Sequence, residues 1–346
     1  MKPLKKSILL LGLILLTLNV IGLKMPRDSR ENPGTASVPF IQTQKDTFNF
    51  HFDLHLPSFG LVCHITHDFV TVIDLNDNQV VDTIHAGEGT DWVAGFDKTS
   101  TGYITDFKSN DVAVINSNDP HRYSVIPVGE HPVCIRLTLD GKTALISHQS
   151  QDGLWFMDTK TREITAKIPE GTGMLYFLKN QNKFYQPAIF SPFIHIIDPV
   201  KQEITRSVWV GGRPMGLAFT PDGKYAYIPN YDLKEVQIFD TGIDSVVKVI
   251  PGIGNPRGIA ITPDGKYALV TNVTSNTLTV IGIDSNAVAK VIPVDRMPTD
   301  VAVTEDGKYA YVTNQGSGSI SVISLGKLEV VAHIEVPSDP ITIFIP

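Results

Sequence analysis

The stretch TPDGKYAYIPN at 220–230 decides the fold, because almost the same phrase returns twice at a constant spacing. TPDGKYALVTN stands at 262–272 and TEDGKYAYVTN at 304–314, so successive copies begin 42 residues apart. A period of that length is typical of repeat architectures, in which each unit buries its apolar face against its neighbours. The chain is therefore expected to fold as a series of similar units.

Each period predicts four short β-strands. The Asp222-Gly223 dipeptide is a hairpin signal, because glycine supplies the positive φ that a tight turn requires. A short apolar segment, GLAF in the first copy, precedes the turn, and tyrosine with β-branched residues follows it. A third strand (VQIFD) and a fourth (SVVKVI) complete the period. Four short strands separated by turns are typical of one blade of a β-propeller.

The number of blades follows from the fourth-strand phrase. It occurs seven times, as VVDTI, YSVIPV, EITAKI, EITRSV, SVVKVI, AVAKVI and VVAHI. The turn signal is weaker in the N-terminal half, where Asp140-Gly141 keeps it and 95–106 is a degenerate copy. The sequence thus predicts an all-β fold, a seven-bladed β-propeller of four-stranded blades that spans residues 58–346.

The two ends of this region predict how the ring closes. The segment 341–345 reads as an inner strand whose three partners lie between Gly60 and Ile84. It follows Pro340, which shares its register with the prolines before four other inner strands, at Pro132, Pro214, Pro256 and Pro298. A competing inner strand is FNFHFDLHL at 48–56, because its apolar residues alternate. We favour closure by the C-terminal strand because the proline register matches, with 48–56 then covering an outer edge.

Residues 1–23 predict export. MKPLKK carries three lysines and leads into an uncharged apolar run, which is the pattern of a cleaved signal peptide or of an uncleaved signal anchor. Residues 24–57 read as a polar linker plus the extra strand at 48–56. The propeller is expected outside the cytoplasm, whether periplasmic, at the cell surface or secreted. Any membrane association is expected only through a possible anchor at 7–23.

Composition narrows the classes of function. The 346 residues are 19% charged and 42% hydrophobic, with a formal net charge of −7. These values suit a folded protein with a large core and disfavour nucleic-acid partners. Cys63 and Cys134 form neither a CxxC nor a CxxCH motif, and they are expected to stay unpaired because they fall in different blades. No Gly-x-Ser-x-Gly, Walker or HExxH motif occurs, and no cofactor is expected.

The phrase GKYAYVTN at 307–314 resembles the signature of the YVTN family of β-propeller repeats. The resemblance covers about 60–346 and is strongest from Gly211 onward. It implies a seven-bladed propeller within a wider group that includes archaeal surface-layer proteins, quinoprotein amine dehydrogenase propellers and d1-haem nitrite reductases. Because one fold hosts many functions, the resemblance implies little about activity.

A ring of polar residues, one per blade, is the first candidate site. The asparagine that ends YVTN aligns across the blades with His64, Asp106, His148, Gln186 or Ala188, Asn230, Asn272 and Asn314. His64, Asp106 and His148 depart from asparagine in neighbouring blades, and His131 joins them from an adjacent loop. Such side chains bind ligands or metals and transfer protons, whereas an asparagine there needs only to cap a loop. Adjacent positions roughly 10 Å apart disfavour a shared metal, so no metal is expected, while ligand binding and capping both stay open.

Charged residues before the inner strands form the second candidate. Arg213, Arg257 and Arg296 come from three successive blades, and guanidinium groups that converge on a channel mouth suit a carboxylate or phosphate. Asp91 belongs to the opposite, acidic side of that mouth. Trp92 beside it is expected either to anchor a ligand or partner or to pack between blades. Ordinary solvated charges are the alternative explanation of the same residues.

Together these features favour an exported, non-catalytic scaffold that binds a protein partner or a small anionic ligand at the channel rim. The alternative is an enzyme or redox-enzyme subunit, since the related propellers include lactonases, lyases and the non-catalytic partners of quinoproteins. An enzyme requires at least two titratable groups within reach of one bound molecule, whereas a scaffold requires only an exposed patch. The arrangement of the rim residues is therefore the decisive observation.

Overall fold

The computed structural model describes residues 58–95 and 100–346, which form seven antiparallel sheets of four strands each. The prediction of an all-β, seven-bladed propeller is confirmed. The predicted signal or anchor at 1–23, the linker at 24–57 and its strand at 48–56 lie outside the described residues. Within the described ranges, the only helical element is a 3-10 turn at Lys179–Gln181, and no helix there is long and apolar enough to cross a membrane.

Strands are numbered in chain order, and each blade is given from its inner to its outer strand. Blade 1 contains β28 (Pro340–Phe344), β1 (Phe59–His64), β2 (Phe69–Asp74) and β3 (Gln79–His85). Blade 2 contains β4 (Thr90–Gly95), β5 (Thr101–Asp106), β6 (Asp111–Asn116) and β7 (Asp119–Pro127). Blade 3 contains β8 (Pro132–Leu137), β9 (Thr143–His148), β10 (Leu154–Asp158) and β11 (Ile164–Ile168). Blade 4 contains β12 (Tyr176–Leu178), β13 (Lys183–Pro187), β14 (Phe193–Asp198) and β15 (Glu203–Trp209).

The last three blades come from the strong copies of the repeat. Blade 5 contains β16 (Ala218–Phe219), β17 (Tyr225–Asn230), β18 (Glu235–Asp240) and β19 (Ser245–Pro251). Blade 6 contains β20 (Pro256–Ile261), β21 (Tyr267–Asn272), β22 (Thr277–Gly282) and β23 (Ala287–Pro293). Blade 7 contains β24 (Pro298–Val303), β25 (Tyr309–Asn314), β26 (Ser319–Ser324) and β27 (Glu329–Glu335).

The inner strands of successive blades surround a central channel. β4 contacts β8 on one side and β28 on the other, and β24 contacts β20 and β28 in the same way. Loops from second to third strands, and from each fourth strand to the next blade, share one end of the channel, here called the upper rim. The turns between first and second strands share the other end, the lower rim, with those between third and fourth strands.

β28 closes the ring in the predicted register. It pairs antiparallel with β1, with Leu61 opposite Phe344 and Cys63 opposite Thr342. The inner position of blade 1 is therefore held by the C-terminal strand, and the alternative that 48–56 holds it is wrong. Cys63 and Cys134 are buried free thiols in blades 1 and 3, as expected.

Hydrogen bonds explain the TPDGK phrase as a lower-rim turn. Thr262 Oγ1 donates to Asp264 Oδ1 at 2.6 Å and accepts the N–H of Tyr267 at 3.0 Å. Asp264 Oδ1 also accepts the N–H of Lys266 at 3.0 Å, while Gly265 adopts a φ of +70°. The same set of bonds recurs around Thr220 and Thr304. The phrase recurs because it builds a turn.

The threonine of YVTN supports a bulge at the start of the inner strand. The register of β24 shifts between Pro298 and Asp300, and the N–H of Asp300 donates to Thr313 Oγ1 at 3.0 Å. Bulges commonly re-aim side chains near functional sites. The equivalent bonds are Trp92 N–H to Thr105 Oγ1 at 3.0 Å and Gly258 N–H to Thr271 Oγ1 at 2.8 Å. In these blades the repeat therefore contains a β-bulge that redirects side chains at the start of the inner strand.

Apolar side chains pack the blades face to face, and tyrosines link them at the lower rim. Tyr227 of blade 5 donates its hydroxyl to Asn286 Oδ1 of blade 6 at 2.5 Å. Leu269 and Leu328 belong to the apolar cluster that fills the corresponding space between blades 6 and 7. Equivalent tyrosine bonds are Tyr185 to Asp244 at 3.0 Å and Tyr311 to Asn78 at 2.7 Å. The contacts between neighbouring blades thus have the same geometry but are made by different residues.

The closing strand makes a direct prediction about stability. Ile343 of β28 is 7% exposed and packs in one cluster with Val62 of blade 1 and Tyr311 of blade 7. Ile343→Ala is expected to lower the free energy of unfolding by about 2–5 kcal/mol, the usual cost of such a cavity. Urea unfolding followed by circular dichroism measures this change.

The control for that variant is Val331→Ala on the outer strand of blade 7, where the side chain is 44% exposed. It should change stability by less than about 0.5 kcal/mol. Equal tolerance of the two substitutions would contradict the role assigned to β28.

Candidate functional site

The asparagines of the ring are buried and bonded within their own repeats. Asn272 Nδ2 donates to Thr277 Oγ1 at 3.0 Å and to Thr279 Oγ1 at 2.8 Å. Asn230 Nδ2 donates to the carbonyl of Gly211 at 2.8 Å. Both side chains are at most 2% exposed. Capping of the upper-rim loops accounts for the asparagines of the YVTN phrase.

His64 and His148 occupy the same position and are fully buried. His64 Nδ1 lies 3.0 Å from the carbonyl of Ser338, and its Nε2 lies 2.8 Å from Thr71 Oγ1, so the neutral ring is bonded on both sides. Burial lowers the pKa of His64 to about 4. His148 Nδ1 lies 3.0 Å from the carbonyl of Gly153, and burial lowers its pKa as well. These bonds match a capping role, and ligand binding by the two histidines stays a prediction.

Asp106 is also buried, opposite Asp111 across the β5–β6 ladder. Burial and the neighbouring Asp111 carboxylate raise the pKa of Asp106 well above its usual range. His64, Asp106 and His148 thus lie inside three separate blades, and the expected cluster on one open rim does not form.

Three other predicted residues, in upper-rim loops, each have a local partner. His131 is exposed and stacks on Phe107 at 4.6 Å between ring centroids. Arg213 forms an ion pair with Asp232 at 2.9 Å. Arg296 is exposed and donates to the carbonyl of Gly316 at 2.7 Å. Arg213 also stacks over the Tyr231 ring at 4.4 Å, and Tyr231 interacts electrostatically with Arg257. That the three arginines meet at the channel mouth stays a prediction.

Arg257 is the predicted arginine that lies in the channel. Its guanidinium interacts electrostatically with Asp91 of blade 2, Asp300 of blade 7, Tyr176 of blade 4 and Tyr231 of blade 5. Only a central position brings one side chain near so many blades. Among the described residues, no carboxylate lies within the 4.0 Å of an ion pair with this guanidinium.

The channel also contains a second arginine, which the sequence analysis missed. Arg136 of blade 3 donates from Nε to the carbonyl of Leu175 at 3.2 Å, and its guanidinium stacks over the Trp92 ring at 4.6 Å. The Trp92 indole N–H is buried and has no hydrogen-bond partner among the described residues. Trp92 lines the channel cavity and also packs against the apolar cluster between blades 2 and 3, so the anchor and the packing interpretations both stay open.

Trp92 and Arg136 line a cavity of about 230 Å³ in the channel, whereas Arg257 is not among its lining residues. Its wall includes side chains from blades 1, 2, 3, 4, 6 and 7, among them Trp92, Arg136, Tyr176, Ile259, Asp300 and Thr342. A groove of about 580 Å³ also lies between blades 5 and 6 at the lower rim, lined by turn residues such as Asp222 and Tyr227. The polar groups of that groove already bond one another, so the channel cavity is the better candidate site.

Tyr176, Asp300 and Thr342 were missed because they follow no sequence motif. They share one location in their blades, here called the channel position. On the second strand of each blade, one residue comes directly before the ring asparagine or its equivalent. The channel position is the inner-strand residue that pairs with it. Aligning the inner strands on Pro132, Pro214, Pro256, Pro298 and Pro340 would have found this position in five blades, but blades 2 and 4 lack the proline. Its occupants in blades 1 to 7 are Thr342, Trp92, Cys134, Tyr176, Gly216, Gly258 and Asp300. Glycine in blade 5 leaves room for the Tyr176 hydroxyl, which would lie 3.2 Å from a Cβ at Gly216.

Burial dominates the electrostatics of the cavity. It raises the pKa of Asp91 to about 7, although the positive charge of Arg257 opposes the shift. It raises the pKa of Asp300 to about 6, while the N–H groups of Ile343 and Val301 stabilise the ionised carboxylate. Burial also lowers the pKa of Arg257, and Asp91 and Asp300 oppose that shift. At neutral pH the site therefore contains separated charges of both signs.

A search of the described ranges finds no group of three or more His, Cys, Asp or Glu side chains arranged to hold a metal ion. The polar atoms of the cavity are guanidinium, carboxyl, indole and phenol groups. Such groups suit hydrogen bonding to a small polar molecule.

Comparisons with known proteins define the class as a seven-bladed β-propeller and go no further. No protein-family model matches the chain, and no curated protein sequence matches it significantly. A structure of Kuenenia stuttgartiensis hydrazine synthase is similar, with a TM-score of 0.67 and 18% identity over 83% of this chain and 99% of that one. A functionally unknown protein from Desulfotomaculum acetoxidans DSM 771 has a TM-score of 0.71 and 14% identity over 83% and 98%. The dihydro-heme d1 dehydrogenase NirN in complex with DHE has a TM-score of 0.61 and 13% identity over 85% and 66%.

These neighbours share the fold, and membership of the YVTN family stays an expectation. At such low identities they carry no information about ligand or reaction. The channel cavity therefore has to be interpreted from its own residues.

Asp91→Asn is expected to change how stability depends on pH. Folded Asp91 keeps its proton up to about pH 7, whereas the unfolded carboxyl loses it near about pH 4. The free energy of unfolding contributed by this group therefore falls as pH rises through that window and is constant above it. Asparagine has no proton to lose, so the variant should gain stability relative to the parent between about pH 5 and about pH 8.

Asp264→Asn provides the control, because the hydrogen bond from Thr262 is the largest cause that lowers the pKa of Asp264 to about 2. The stability that Asp264 contributes is present above its unfolded pKa and is lost only as pH falls through about 2. Its difference from the parent should stay constant over the range tested. Urea unfolding at the two pH values measures both effects, and parallel pH profiles for parent and Asp91→Asn would contradict the burial of a protonated Asp91.

Proposed function

We propose that the protein is an exported, non-catalytic β-propeller that binds a small carboxylate-bearing molecule in its channel cavity. One observation carries this proposal. The Arg257 guanidinium is partly buried among four other blades and has no ion-pair or hydrogen-bond partner among the residues described. A half-buried guanidinium with no protein partner keeps its donors available for a ligand, and a planar carboxylate is the group that its donor geometry fits best.

The surroundings of Arg257 support the same ligand class. Arg136 adds a second positive charge, and Trp92 offers an apolar surface next to an unpartnered indole N–H. A volume of about 230 Å³ is below the roughly 300–1,000 Å³ of sites for drug-sized ligands. A molecule of metabolite size is therefore expected rather than a peptide or a large cofactor.

Calorimetric titration with small carboxylic acids and amino acids of two to five carbons tests this function. We expect at least one of them to bind the parent protein and to raise its melting temperature through linkage. Arg257→Met should weaken that binding at least 10-fold, because it removes the charge but keeps the apolar stem. Arg296→Met, which removes an arginine from the upper rim, should change the affinity less than twofold. Binding by none of these acids, or equal effects of the two variants, would count against the proposed site.

A second candidate function is catalysis, and it also rests on one observation. Asp91 has a buried Oδ1 atom without a partner among the described residues and a pKa raised by burial to about 7, near the value that suits a general acid or base. Proton NMR of the bound acid distinguishes the two functions. A pure binding protein leaves its ligand unchanged. An enzyme converts it, and Asp91→Asn then abolishes turnover while binding persists.

The export part of the proposal rests on residues 1–23, where lysines precede an uncharged apolar run. A reporter enzyme fused after Pro346 should be active only outside the cytoplasm. Activity confined to the cytoplasm would overturn this part alone and leave the binding site untouched.

A further inference from the structure

The lower-rim groove between blades 5 and 6 lies at one of the boundaries between neighbouring blades, here called seams. Over the described ranges, four other seams are crossed by a contact between an outer-strand side chain and a side chain of the next blade. These contacts join Asp82 to His121 at 3.0 Å, Ser124 to Arg162 at 3.1 Å, Thr165 to Gln202 at 2.9 Å and Arg206 to Asp244 at 3.6 Å. The seam between blades 5 and 6 breaks this series.

Lys248 is the residue at which the series breaks. It occupies the place on β19 of blade 5 that Arg206 occupies on β15 of blade 4, at the same register in the ladder between third and fourth strands. The turn residue of the next blade differs, because Asp244 of blade 5 is replaced by Asn286 in blade 6, and both have a φ of +50°. The Lys248 ammonium has no ion-pair or hydrogen-bond partner in the part of the chain that is described. It lines the groove of about 580 Å³ instead.

The groove wall combines apolar side chains with unused hydrogen-bond donors. Val247, which is 50% exposed, and Ile283 supply part of the apolar surface. Asn286 Oδ1 accepts the hydroxyl of Tyr227 at 2.5 Å, and the Asn286 Nδ2 group has no acceptor among the residues described. Lys248 and Asn286 therefore present an ammonium group and an amide N–H to whatever enters the groove.

Three carboxylates also line the groove, and they restrict the kind of anion that it can take. Asp264 forms an ion pair with Lys266 at 3.0 Å, and Asp222 accepts the hydroxyl of Thr220 at 2.6 Å. Asp284 is exposed and has no ion pair within the described ranges. Like charges placed close together are unfavourable, so a multiply charged group such as a phosphate ester is disfavoured. A carboxylate with a single charge is the better match.

From these features we infer that the groove is a second binding site, for a free amphipathic carboxylate with an apolar body. The carboxylate accepts hydrogen bonds from Lys248 and Asn286 and so replaces the acceptor that Asp244 supplies at the preceding seam. The apolar body covers Val247 and Ile283. This site lies on the lower rim and does not depend on the ligand proposed for the channel.

The size of the groove favours a small molecule over a protein partner. Its volume of about 580 Å³ falls within the roughly 300–1,000 Å³ that is usual for small-molecule sites. Stable protein interfaces bury roughly 1,200–2,000 Å² in total, which a groove at a single seam does not offer. The channel cavity of about 230 Å³ is smaller, so the two sites are expected to take acids of different length.

Calorimetric titration of the full chain with octanoate tests the inference. We expect octanoate to bind about three- to fivefold more tightly than 1-octanol, which has the same chain length but no charge. Hexanoate should bind several-fold more weakly than octanoate, because it buries less apolar surface. Binding of 1-octanol as tight as that of octanoate would reject the carboxylate site.

Two matched lysine variants locate the charge. Lys248→Met keeps the apolar stem and should remove the preference for octanoate over 1-octanol. Lys290→Met changes the residue at the same register of blade 6 and should alter the affinity by less than about 1.5-fold. Asn286→Asp gives Lys248 the kind of partner that Arg206 has, so it should weaken octanoate binding as well. Equal effects of the two lysine variants would contradict the inference.

A double variant tests the groove itself. Tyr227→Leu combined with Asn286→Leu copies Leu269 and Leu328, which belong to the apolar cluster at the seam between blades 6 and 7. Leu328 has a φ of +54°, so leucine already adopts this turn conformation in blade 7. The double variant should unfold cooperatively in urea and bind neither octanoate nor 1-octanol. Unchanged octanoate binding by this folded variant would place the ligand elsewhere.

Arg257→Met separates this site from the channel. It should leave octanoate binding unchanged, because Arg257 does not line the groove. Loss of octanoate binding in that variant would assign octanoate to the channel and reject the second site while supporting the proposed function. Failure of octanoate to bind the parent protein would reject the second site alone, since the shorter acids test the channel independently.

Discussion

The pairing of β28 with β1 is the constraint on which the rest of the structure depends. Seven sheets surround a closed channel only if the first and last blades meet, and here one blade is built from both ends of the propeller. The same strand supplies Thr342, whose hydroxyl donates to the carbonyl of Asp91 in blade 2, and the N–H of Ile343 that holds Asp300 of blade 7. The strand that closes the ring therefore also builds part of the cavity wall.

Each repeat contains positions that keep the same residue in several blades and positions that vary. The recurrent residues stabilise the fold, and the variable ones line the candidate site. The recurrent letters form bonds inside or between repeats. Thr262 and Asp264 build a turn, Thr271 holds a bulge, and Asn272 caps a loop. The residue at the channel position differs from blade to blade and is aspartate in blade 7 and glycine in blade 6. The residues that could bind a ligand therefore lie at the positions that the repeat does not conserve between blades.

This division explains how far sequence reasoning reached. The recurrent fourth-strand phrase and the register of Pro340 predicted blade number and closure, because both recur at a fixed period along the chain. Departures from the repeat drew attention to His64 and His148, but their burial and hydrogen bonds depend on loops from elsewhere in the chain. Arg257, Asp91 and Trp92 were identified as candidates, while Arg136, Asp300 and Tyr176 were missed. Side-chain direction at a bulge does not follow the alternation of a regular strand, so the channel wall required coordinates.

The channel position has a consequence for how such proteins change over evolutionary time. Each blade contributes one residue there, and in blades 2, 6 and 7 that residue is Trp92, Gly258 or Asp300 while the same N–H to threonine bond holds the backbone. A mutation at that position alters one part of the wall and leaves the turns, seams and caps intact. Variation at such positions on a common backbone frame allows ligand preference to change in steps, so two propellers with similar outer surfaces can recognise unrelated molecules.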